Sequence, residues 1–394
     1  MIPLERTITT LARLIGYPTV SSDSNLALIR DLAAALEQLG ARVDIFEDAT
    51  GTKANLFATL GPDRDGGLVL SGHSDVVPVA DQDWSSDPFV MREDGDRLYG
   101  RGTCDMKGFI AAAITTAERY AQMELQRPIH FAFTHDEEVG CIGARALVDE
   151  LRARRVRPSM VVIGEPTEMR VIEGHKGCCE YTVRFEGREG HGSNPDAGVN
   201  AAEYAARYAA RLLALREDLI ARRPVSSRFD PPWTTLNIGR ISGGTAHNII
   251  SGKAEIDWEM RPVQDSDAGF VKDEMHHYTQ DILLPAMRAV DPNAVIETET
   301  IGEIAGLEPA ETNVARDVIM ALSGANGADL VSFGTEAGLF QQLGADVIVC
   351  GPGSIEQAHK PDEFISRDQL AACLDLLEKL GAHMCDPGRY IPQK

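Results

Sequence analysis

Apolar residues in the first part of the chain follow two spacings that alternate along it. Leu4–Ile15 and Asn25–Leu39 carry apolar side chains three and four positions apart, which predicts two amphipathic helices. Arg42–Phe46 and Asn55–Leu60 are short runs typical of strands. Gly67–Ser71 is a continuous apolar run, as expected of a strand that is buried on both faces.

The same alternation continues as far as residue 166. It predicts a helix after Lys107, a strand over Ile129–Phe133 and a helix over Ile142–Leu151, followed by another buried strand with the sequence SMVVIGEP. Continuous apolar strands separated by helices indicate an α/β fold, in which a mainly parallel sheet is covered by helices on both faces.

The middle of the chain has a different pattern, because its strands alternate apolar and polar residues. The strand GCCEYTVRFEG precedes a helix over Val199–Leu215, and the strands TTLNIGRISGG and GKAEIDWEMRP follow it. A long helix from Ala268 to Arg288 and the strand AVIETETI complete the order βαββαβ. This order predicts a ferredoxin-like α+β module with one exposed sheet face.

The first pattern returns towards the end of the chain, with a helix over Thr312–Ser323, the strand ADVIVCG and a helix over Asp368–Leu380. We therefore predict a discontinuous catalytic domain, residues 1–177 and 294–394, interrupted by an inserted domain at residues 178–293. The length of 394 residues agrees with two domains, because a single core rarely grows beyond ~250–300 residues.

Charge and cysteine content narrow the possible partners and the compartment. A net charge of −22 argues against nucleic acid and anionic membrane surfaces, which are themselves negative. The seven cysteines form no C-x-x-C pair, which favours a reducing compartment over a disulfide framework. The first residues, MIPLERTITTLARLIGYP, have a helical apolar period instead of a signal pattern, and no apolar run approaches membrane-spanning length. These features predict a cytoplasmic protein.

The run IHFAFTHDEEVG ends a buried strand in three consecutive acids, Asp136, Glu137 and Glu138. Acidic side chains are rarely buried unless something pairs with them. Either this end of the strand lies in solvent, or it faces a cation.

Four further segments place metal-binding types of side chain at similar positions. In open α/β sheets, ligands bind beyond the carboxyl ends of strands, and four of the five segments end there. Each segment alone is explained by a helix N-cap or a solvated turn, whereas together they indicate divalent cations. Nitrogen combined with carboxylate oxygen favours Zn²⁺ or related transition ions over Ca²⁺. The residues are His73 and Asp75, two apart on an extended segment, Asp105 in a Gly-rich turn before a helix, Glu165 and His359.

Five motifs, in this order and spacing, resemble those of the di-zinc aminoacylase/carboxypeptidase family: SGHSDVVP, GRGTCDMKG, DEEVG, IGEPT and GSIEQAHKPDEF. The resemblance covers nearly the whole chain, including the inserted module, which in that family is a dimerisation or lid domain. It implies an enzyme with two divalent metal ions, zinc or cobalt, that forms a homodimer through the inserted domain. FGTEAGLF and CGPGSIEQAHKPDEF look most like the acetylornithine deacetylase branch.

The resemblance also implies a role for each residue of these motifs. Adjacent residues leave a turn in different directions, so one acid of the pair at 137 and 138 can bind a metal while the other faces the attacking water. The implied roles are Asp105 as the bridge between two metal ions, His73 and Glu165 on one ion, Glu138 and His359 on the other, Asp75 as the partner that orients His73, and Glu137 as the general base.

Four residues outside the metal motifs match positions that contact substrate in the family. His191, in REGHGSNPDAG, would stabilise the tetrahedral oxyanion, although a loop histidine is commonly just a surface residue. Asn248 and Arg261 would bind the substrate carboxylate, and the alternative for Arg261 is an ordinary surface ion pair. Glu336 would face a substrate ammonium group, or serve only the dipole of the helix that follows it.

The implied reaction is hydrolysis of the amide of an N-acyl amino acid, a small-molecule substrate. The branch points to N2-acetyl-L-ornithine, giving L-ornithine and acetate in arginine biosynthesis. Succinyl-diaminopimelate desuccinylase and a broader aminoacylase or carboxypeptidase are the alternatives within the class. A non-catalytic binding protein on the same scaffold is the alternative from another class, and it should have lost the base or the bridging ligand. Glu137 and Asp105 are both present.

Overall fold

A computed structural model describes residues 4–386, and these form two compact units. The first unit contains residues 4–174, 309–331 and 335–386, and the second contains His175–Glu308 with Ser332–Gly334. The domain boundary predicted after residue 293 has to be moved to Glu308. The reason is that the strand Val295–Ile304 pairs along its length with Cys178–Glu186, inside the sheet of the second unit.

The strands and helices of the described residues are numbered in chain order. The strands are β1 (Arg42–Glu47), β2 (Ala54–Leu60), β3 (Leu68–His73), β4 (Arg92–Asp94), β5 (Arg97–Tyr99), β6 (Ile129–Thr134), β7 (Met160–Pro166), β8 (Ile172–His175), β9 (Cys178–Glu186), β10 (Gly190–His191), β11 (Thr235–Gly243), β12 (Ile249–Ile250), β13 (Lys253–Arg261), β14 (Val295–Ile304), β15 (Asp329–Val331), β16 (Asp346–Gly351) and β17 (Phe364–Ser366). The α-helices are α1 (Leu4–Ile15), α2 (Leu26–Gln38), α3 (Lys107–Tyr120), α4 (Ile142–Ala153), α5 (Ala201–Arg222), α6 (Asp265–His277), α7 (Leu284–Arg288), α8 (Val314–Ser323), α9 (Ala337–Gln341) and α10 (Arg367–Cys385).

The first unit is built on an eight-stranded sheet with the order β1-β2-β6-β3-β7-β16-β8-β15. Its centre is parallel, because β3 pairs in parallel with both β6 and β7, and β7 pairs in parallel with β16. Antiparallel strands extend it on both sides. Leu68 and Leu70 of β3 belong to a core that also contains residues of α1, α2, α3 and α10. The predicted α/β fold is confirmed, and the parallel pairing lies at the centre of the sheet.

The second unit contains a four-stranded antiparallel sheet with the order β11-β13-β9-β14. With α5 after β9 and α6 after β13, the chain follows the order predicted for a ferredoxin-like module. The helix predicted from Ala268 to Arg288 is interrupted, because a π-helical turn over Tyr278–Leu283 separates α6 from α7.

A small sheet in the first unit, with the order β17-β5-β4, was not predicted. Its strands are three residues long and carry too little pattern to be recognised. The pairing of Phe364 with Tyr99 places the segment before β17 beside the turn that precedes α3. Among the helices of residues 4–386, none is long and apolar enough to cross a membrane.

Candidate metal centre

The parallel strands of the first unit bring the predicted metal-binding side chains to one edge of the sheet. His73 is the last residue of β3 and pairs with Thr134 at the end of β6, two residues before the first of the acids, Asp136. Ser71 lies level with Ile163 of β7, so that His73 and Glu165 come side by side two residues further on. The loop that follows the neighbouring parallel strand β16 carries His359.

His73 is buried at the centre of this group. Its Nε2 lies 2.9 Å from Asp105 Oδ1 and 3.6 Å from Glu165 Oε1. Its Nδ1 lies 2.9 Å from the backbone carbonyl of Asp75 and 3.6 Å from the Asp75 carboxylate. Burial alone would lower the pKa of His73, but the hydrogen bonds with Asp105 and Asp75 raise it well above its ordinary value.

Asp75 contacts His73 mainly through its backbone, and its carboxylate also holds the acidic turn. One carboxylate oxygen accepts the hydroxyl of Ser21 at 2.7 Å, and the other accepts the N–H of Glu137 at 3.2 Å. Burial would raise the pKa of Asp75, but the hydrogen bonds from His73 and Ser21 lower it. Asp75 therefore fixes both His73 and the backbone of Glu137, the predicted base, whereas only the first task was predicted.

Asp105 contacts both histidines, one through each carboxylate oxygen. Oδ1 lies 2.9 Å from His73, and Oδ2 lies 3.4 Å from Nε2 of His359. The same His359 nitrogen lies 3.0 Å from Glu138 Oε2. The hydrogen bonds to Asp105 and Glu138 raise the pKa of His359 to about 10. Burial opposes ionisation of Asp105, yet the two histidines lower its pKa.

The three consecutive acids leave the turn after β6 in three directions. Asp136 forms an ion pair with Lys53 at 2.5 Å. Glu138 reaches His359, while Glu137 accepts a weak hydrogen bond from the Cys141 thiol at 3.4 Å. Burial raises the pKa of Glu137 to about 8. The turn thus separates an acid paired with Lys53, an acid that contacts His359 and a buried acid whose charged form is disfavoured without metal.

The chemistry of the cluster fits divalent metal ions. Within residues 4–386, Glu138 Oε1 and Glu165 Oε1 are buried without a hydrogen-bond partner, which is costly for an acid. Ligand-type atoms of His73, Asp105 and Glu138 lie within 4.8 Å of one another, as do those of His73, Glu137 and Glu165. Imidazole nitrogen with carboxylate oxygen is a donor set typical of zinc and related transition ions.

Glu336 lies in the same unit as the cluster, directly before α9. Its side chain is buried, with one oxygen accepting the hydroxyl of Ser71 at 2.5 Å and the other that of Thr134 at 2.7 Å. Burial raises its pKa, and both hydroxyls oppose the shift. Both carboxylate oxygens thus make contacts within the protein, and a role of Glu336 towards a substrate ammonium group stays a prediction. Glu336 instead ties together the ends of β3 and β6, which carry the site.

The remaining predicted residues belong to the second unit. His191 is exposed on β10, which pairs with β12, and the N–H of Gly192 donates to the carbonyl of Asn248 at 2.7 Å. His191 and Asn248 are therefore neighbours. Arg261, at the end of β13, forms an ion pair with Glu259 at 2.8 Å, which is the contact expected from the alternative interpretation.

Another group with metal-binding side chains lies on the sheet of the second unit. It consists of Cys178, Glu180 and Glu259. Burial raises the pKa of the Cys178 thiol to about 11, and Glu259 already pairs with Arg261. A thiol binds metal as the thiolate, so this group is much less suited to an ion than the cluster around His73.

Two buried residues near the cluster were missed in the sequence. Arg101 and Glu363 form an ion pair at 2.7 Å, and their side chains are 1% and 0% exposed. The Glu363 carboxylate also accepts three backbone N–H groups from the turn that carries Asp105. The second acid of KPDEF, Glu363, was the available sign, because a carboxylate directly before a strand needs a partner when it is buried.

An α/β sheet with a ferredoxin-like insertion and a two-histidine carboxylate cluster are features of metal-dependent hydrolases. Residues 69–383 match peptidase family M20/M25/M40, and the chain belongs to that family. It is 35% identical to acetylornithine deacetylase of Pasteurella multocida, covering 94% of this chain and 96% of that protein. Identity to the acetylornithine deacetylase of Edwardsiella ictaluri is 36%, with the same coverage.

The fold of a solved member of the family is also similar. The metallo-carboxypeptidase Sso-CP2 of Sulfolobus solfataricus superposes with a TM-score of 0.72 at 17% identity, covering 95% of this chain and 98% of that protein. At this level of identity the likeness concerns the fold alone.

Proposed function

We propose that the protein hydrolyses the amide bond of an N-acyl amino acid, and that its substrate is N2-acetyl-L-ornithine. The products are L-ornithine and acetate, as in arginine biosynthesis. The observation that carries the proposal is the arrangement of two adjacent acids, Glu138 in contact with His359 and Glu137 buried beside it. Relatives at 35% and 36% identity named acetylornithine deacetylase support the choice of substrate.

The cluster would hold two divalent cations, Zn²⁺ or Co²⁺. Asp105 would bridge them, because its two oxygens already contact the two histidines. When bound, such ions lower the pKa of water and polarise the substrate carbonyl. The ligands of one ion would be His73, Asp105 and Glu165, and those of the other Asp105, Glu138 and His359.

Glu137 would move the proton of the reaction. It takes a proton from the water molecule as the water oxygen bonds to the carbonyl carbon. When the C–N bond breaks, the protonated Glu137 donates that proton to the leaving amine. Asp75 holds the backbone N–H of Glu137 and so keeps the base in place.

His191 and Arg261 would complete the site on the substrate side. We expect a homodimer formed through the second unit, in which His191 from one subunit donates a hydrogen bond to the oxyanion formed in the other. Arg261, together with Asn248, would bind the substrate carboxylate. Arg261 would then have to exchange its present ion pair with Glu259 for that carboxylate.

The test is amine release from a panel of N-acetyl and N-succinyl amino acids, with and without chelator. We expect N2-acetyl-L-ornithine to be hydrolysed fastest and chelator to stop the reaction. Glu137→Gln should retain both metals and lose ~10²–10⁴-fold in rate. Faster release from N-succinyl-diaminopimelate would identify a desuccinylase. No release from any amide by the metal-loaded protein would favour a binding protein.

A further inference from the structure

His359 has the least local support among the proposed metal ligands. It lies in the loop between β16 and β17, its side chain is 54% exposed, and its φ is +62°. His73, by contrast, is buried at the end of a central strand. A ligand on an exposed loop holds its geometry only when surrounding residues fix that loop.

Glu363, four residues after His359, holds the turn that carries Asp105. One of its oxygens accepts the N–H groups of Cys104 and Asp105 at 2.8 and 3.0 Å. The other accepts the N–H of Gly102 at 3.0 Å. The loop of one proposed ligand is therefore fixed by an acid that belongs to the loop of another.

Arg101 extends this connection from Glu363 to the segment that carries Gln82 and Trp84. Its Nη1 donates to Glu363 at 2.7 Å, and its Nη2 donates to the side-chain oxygen of Gln82 at 2.5 Å. The guanidinium also lies 5.0 Å from the centre of the Trp84 ring. A fully buried arginine with these partners has little freedom to move.

Gln82 connects this chain of hydrogen bonds, which we call the circuit, to His359 itself. Its side-chain oxygen accepts hydrogen bonds from Arg101 and from the indole N–H of Trp84, the latter at 3.1 Å. Two donors on the oxygen fix the orientation of the amide. The amide nitrogen therefore points to the backbone carbonyl of His359, to which it donates at 2.9 Å.

We propose that Glu363, Arg101 and Gln82 are positioning residues that set the distance between Asp105 and His359. They thereby set the affinity of the ion that His359 holds. This inference rests on the proposed function, in which both residues are metal ligands. Residues that orient metal ligands typically contribute ~10–100-fold to metal affinity.

The circuit predicts different effects for its two ends. Gln82→Leu removes the hydrogen bond to the His359 carbonyl and leaves Asp105 in place, so only one of two ions should bind more weakly. Glu363→Gln disturbs the turn of Asp105, which contacts both histidines, so both ions should be weakened. Gln357→Leu is the control outside the circuit. Gln357 is a half-buried glutamine in the loop that carries His359, and the substitution is chemically the same.

The experiment is titration of the chelator-treated, dialysed full-length protein with Co²⁺, followed by calorimetry and by the visible spectrum of bound cobalt. We expect Gln82→Leu to lower one of the two affinities ~10-fold or more, while Gln357→Leu leaves both unchanged. The proposal would be overturned if Gln82→Leu bound both Co²⁺ ions with wild-type affinity, or if Gln357→Leu lost as much Co²⁺ affinity as Gln82→Leu. The comparison of Gln82→Leu with Gln357→Leu tests the proposal even if Glu363→Gln fails to fold.

The titration also separates this inference from the proposed function. A wild-type protein that binds fewer than two ions would overturn the ligand assignment and the circuit together. A wild-type protein that binds two ions but hydrolyses a different amide would change the substrate alone. A selective loss in Gln82→Leu would support the circuit in that case too, because the readout does not depend on turnover.

Discussion

Glu137→Gln should make the free energy of unfolding of the metal-free protein less sensitive to rising pH. Burial raises the pKa of Glu137 in the folded protein to about 8, from an ordinary value of 4.5. The charge of Glu138 adds to this shift, and His73 opposes it. In the unfolded chain the carboxyl group regains its ordinary pKa. The folded protein therefore loses stability when Glu137 has to ionise.

The sign and the size follow from linkage. When the pKa of a group is higher in the folded than in the unfolded protein, its contribution to stability is complete at pH values below the pKa in the unfolded chain. That contribution is lost as the pH rises through the pKa in the folded protein. Between about pH 7 and pH 8.5, protonation of Glu137 in the folded state falls from roughly nine-tenths to about a quarter, which lowers the free energy of unfolding by about 1 kcal/mol. Burial lowers the pKa of Lys107 to about 7, with an opposite effect that is common to both proteins and cancels.

The measurement is urea unfolding of wild type and variant in chelator, at several pH values across this range. The difference in unfolding free energy should shift by about 1 kcal/mol in favour of the variant as the pH rises. Glu356→Gln, at an exposed position, controls for the chemical change itself. A difference between wild type and Glu137→Gln that stays constant with pH would refute the reasoning, because Glu137 would then not titrate in this range.

Three further predictions concern metal content and activity. Asp105→Ala should lose both ions, since its carboxylate contacts both histidines, and metal analysis showing two retained ions would contradict the bridging role. Glu336→Gln should lower turnover of N-acetylornithine and of a neutral N-acetyl amino acid equally, because its carboxylate is held by buried hydroxyls. Steady-state rates that fall more for acetylornithine would restore the substrate-facing role. His191→Ala should keep its metal and lose roughly 10²–10³-fold in turnover. Subunit exchange with inactive Glu137→Ala should restore activity, because one site of each heterodimer has both residues intact, and no recovery would exclude action between subunits.

The parts of the site that follow from strand register were predictable from the sequence. His73 and Glu165 end continuous apolar runs, and the carboxyl ends of parallel strands meet at one edge of a sheet. Once the order of the strands is known, no further information is needed to predict that the two side chains meet, as they do at 3.6 Å. The same holds for the acids after β6, whose strand pairs directly with β3.

Contacts that depend on short strands and distant pairs were not predictable. Asp105 and Glu363 are 258 positions apart and meet because two three-residue strands pair. Neither strand has a recognisable period. For Asp75 the partner His73 was predicted but the N–H of Glu137 was not, and for Glu336 neither hydroxyl partner was predicted. A carboxylate in a motif does not reveal whether its acceptors face a ligand or, as for Glu336, two buried hydroxyls.

Metal ions and protons compete for the same buried atoms in this protein. Metal binding needs ionised carboxylates and a neutral imidazole. Without metal, burial raises the pKa of Glu138 and Glu165, and the neighbouring acids keep His73 protonated. Loading the site must therefore release protons, and the apparent metal affinity must fall as the pH falls. A buried strand can end in three consecutive acids here because Lys53 neutralises the first, and positive charge, from metal or from protons, offsets the other two.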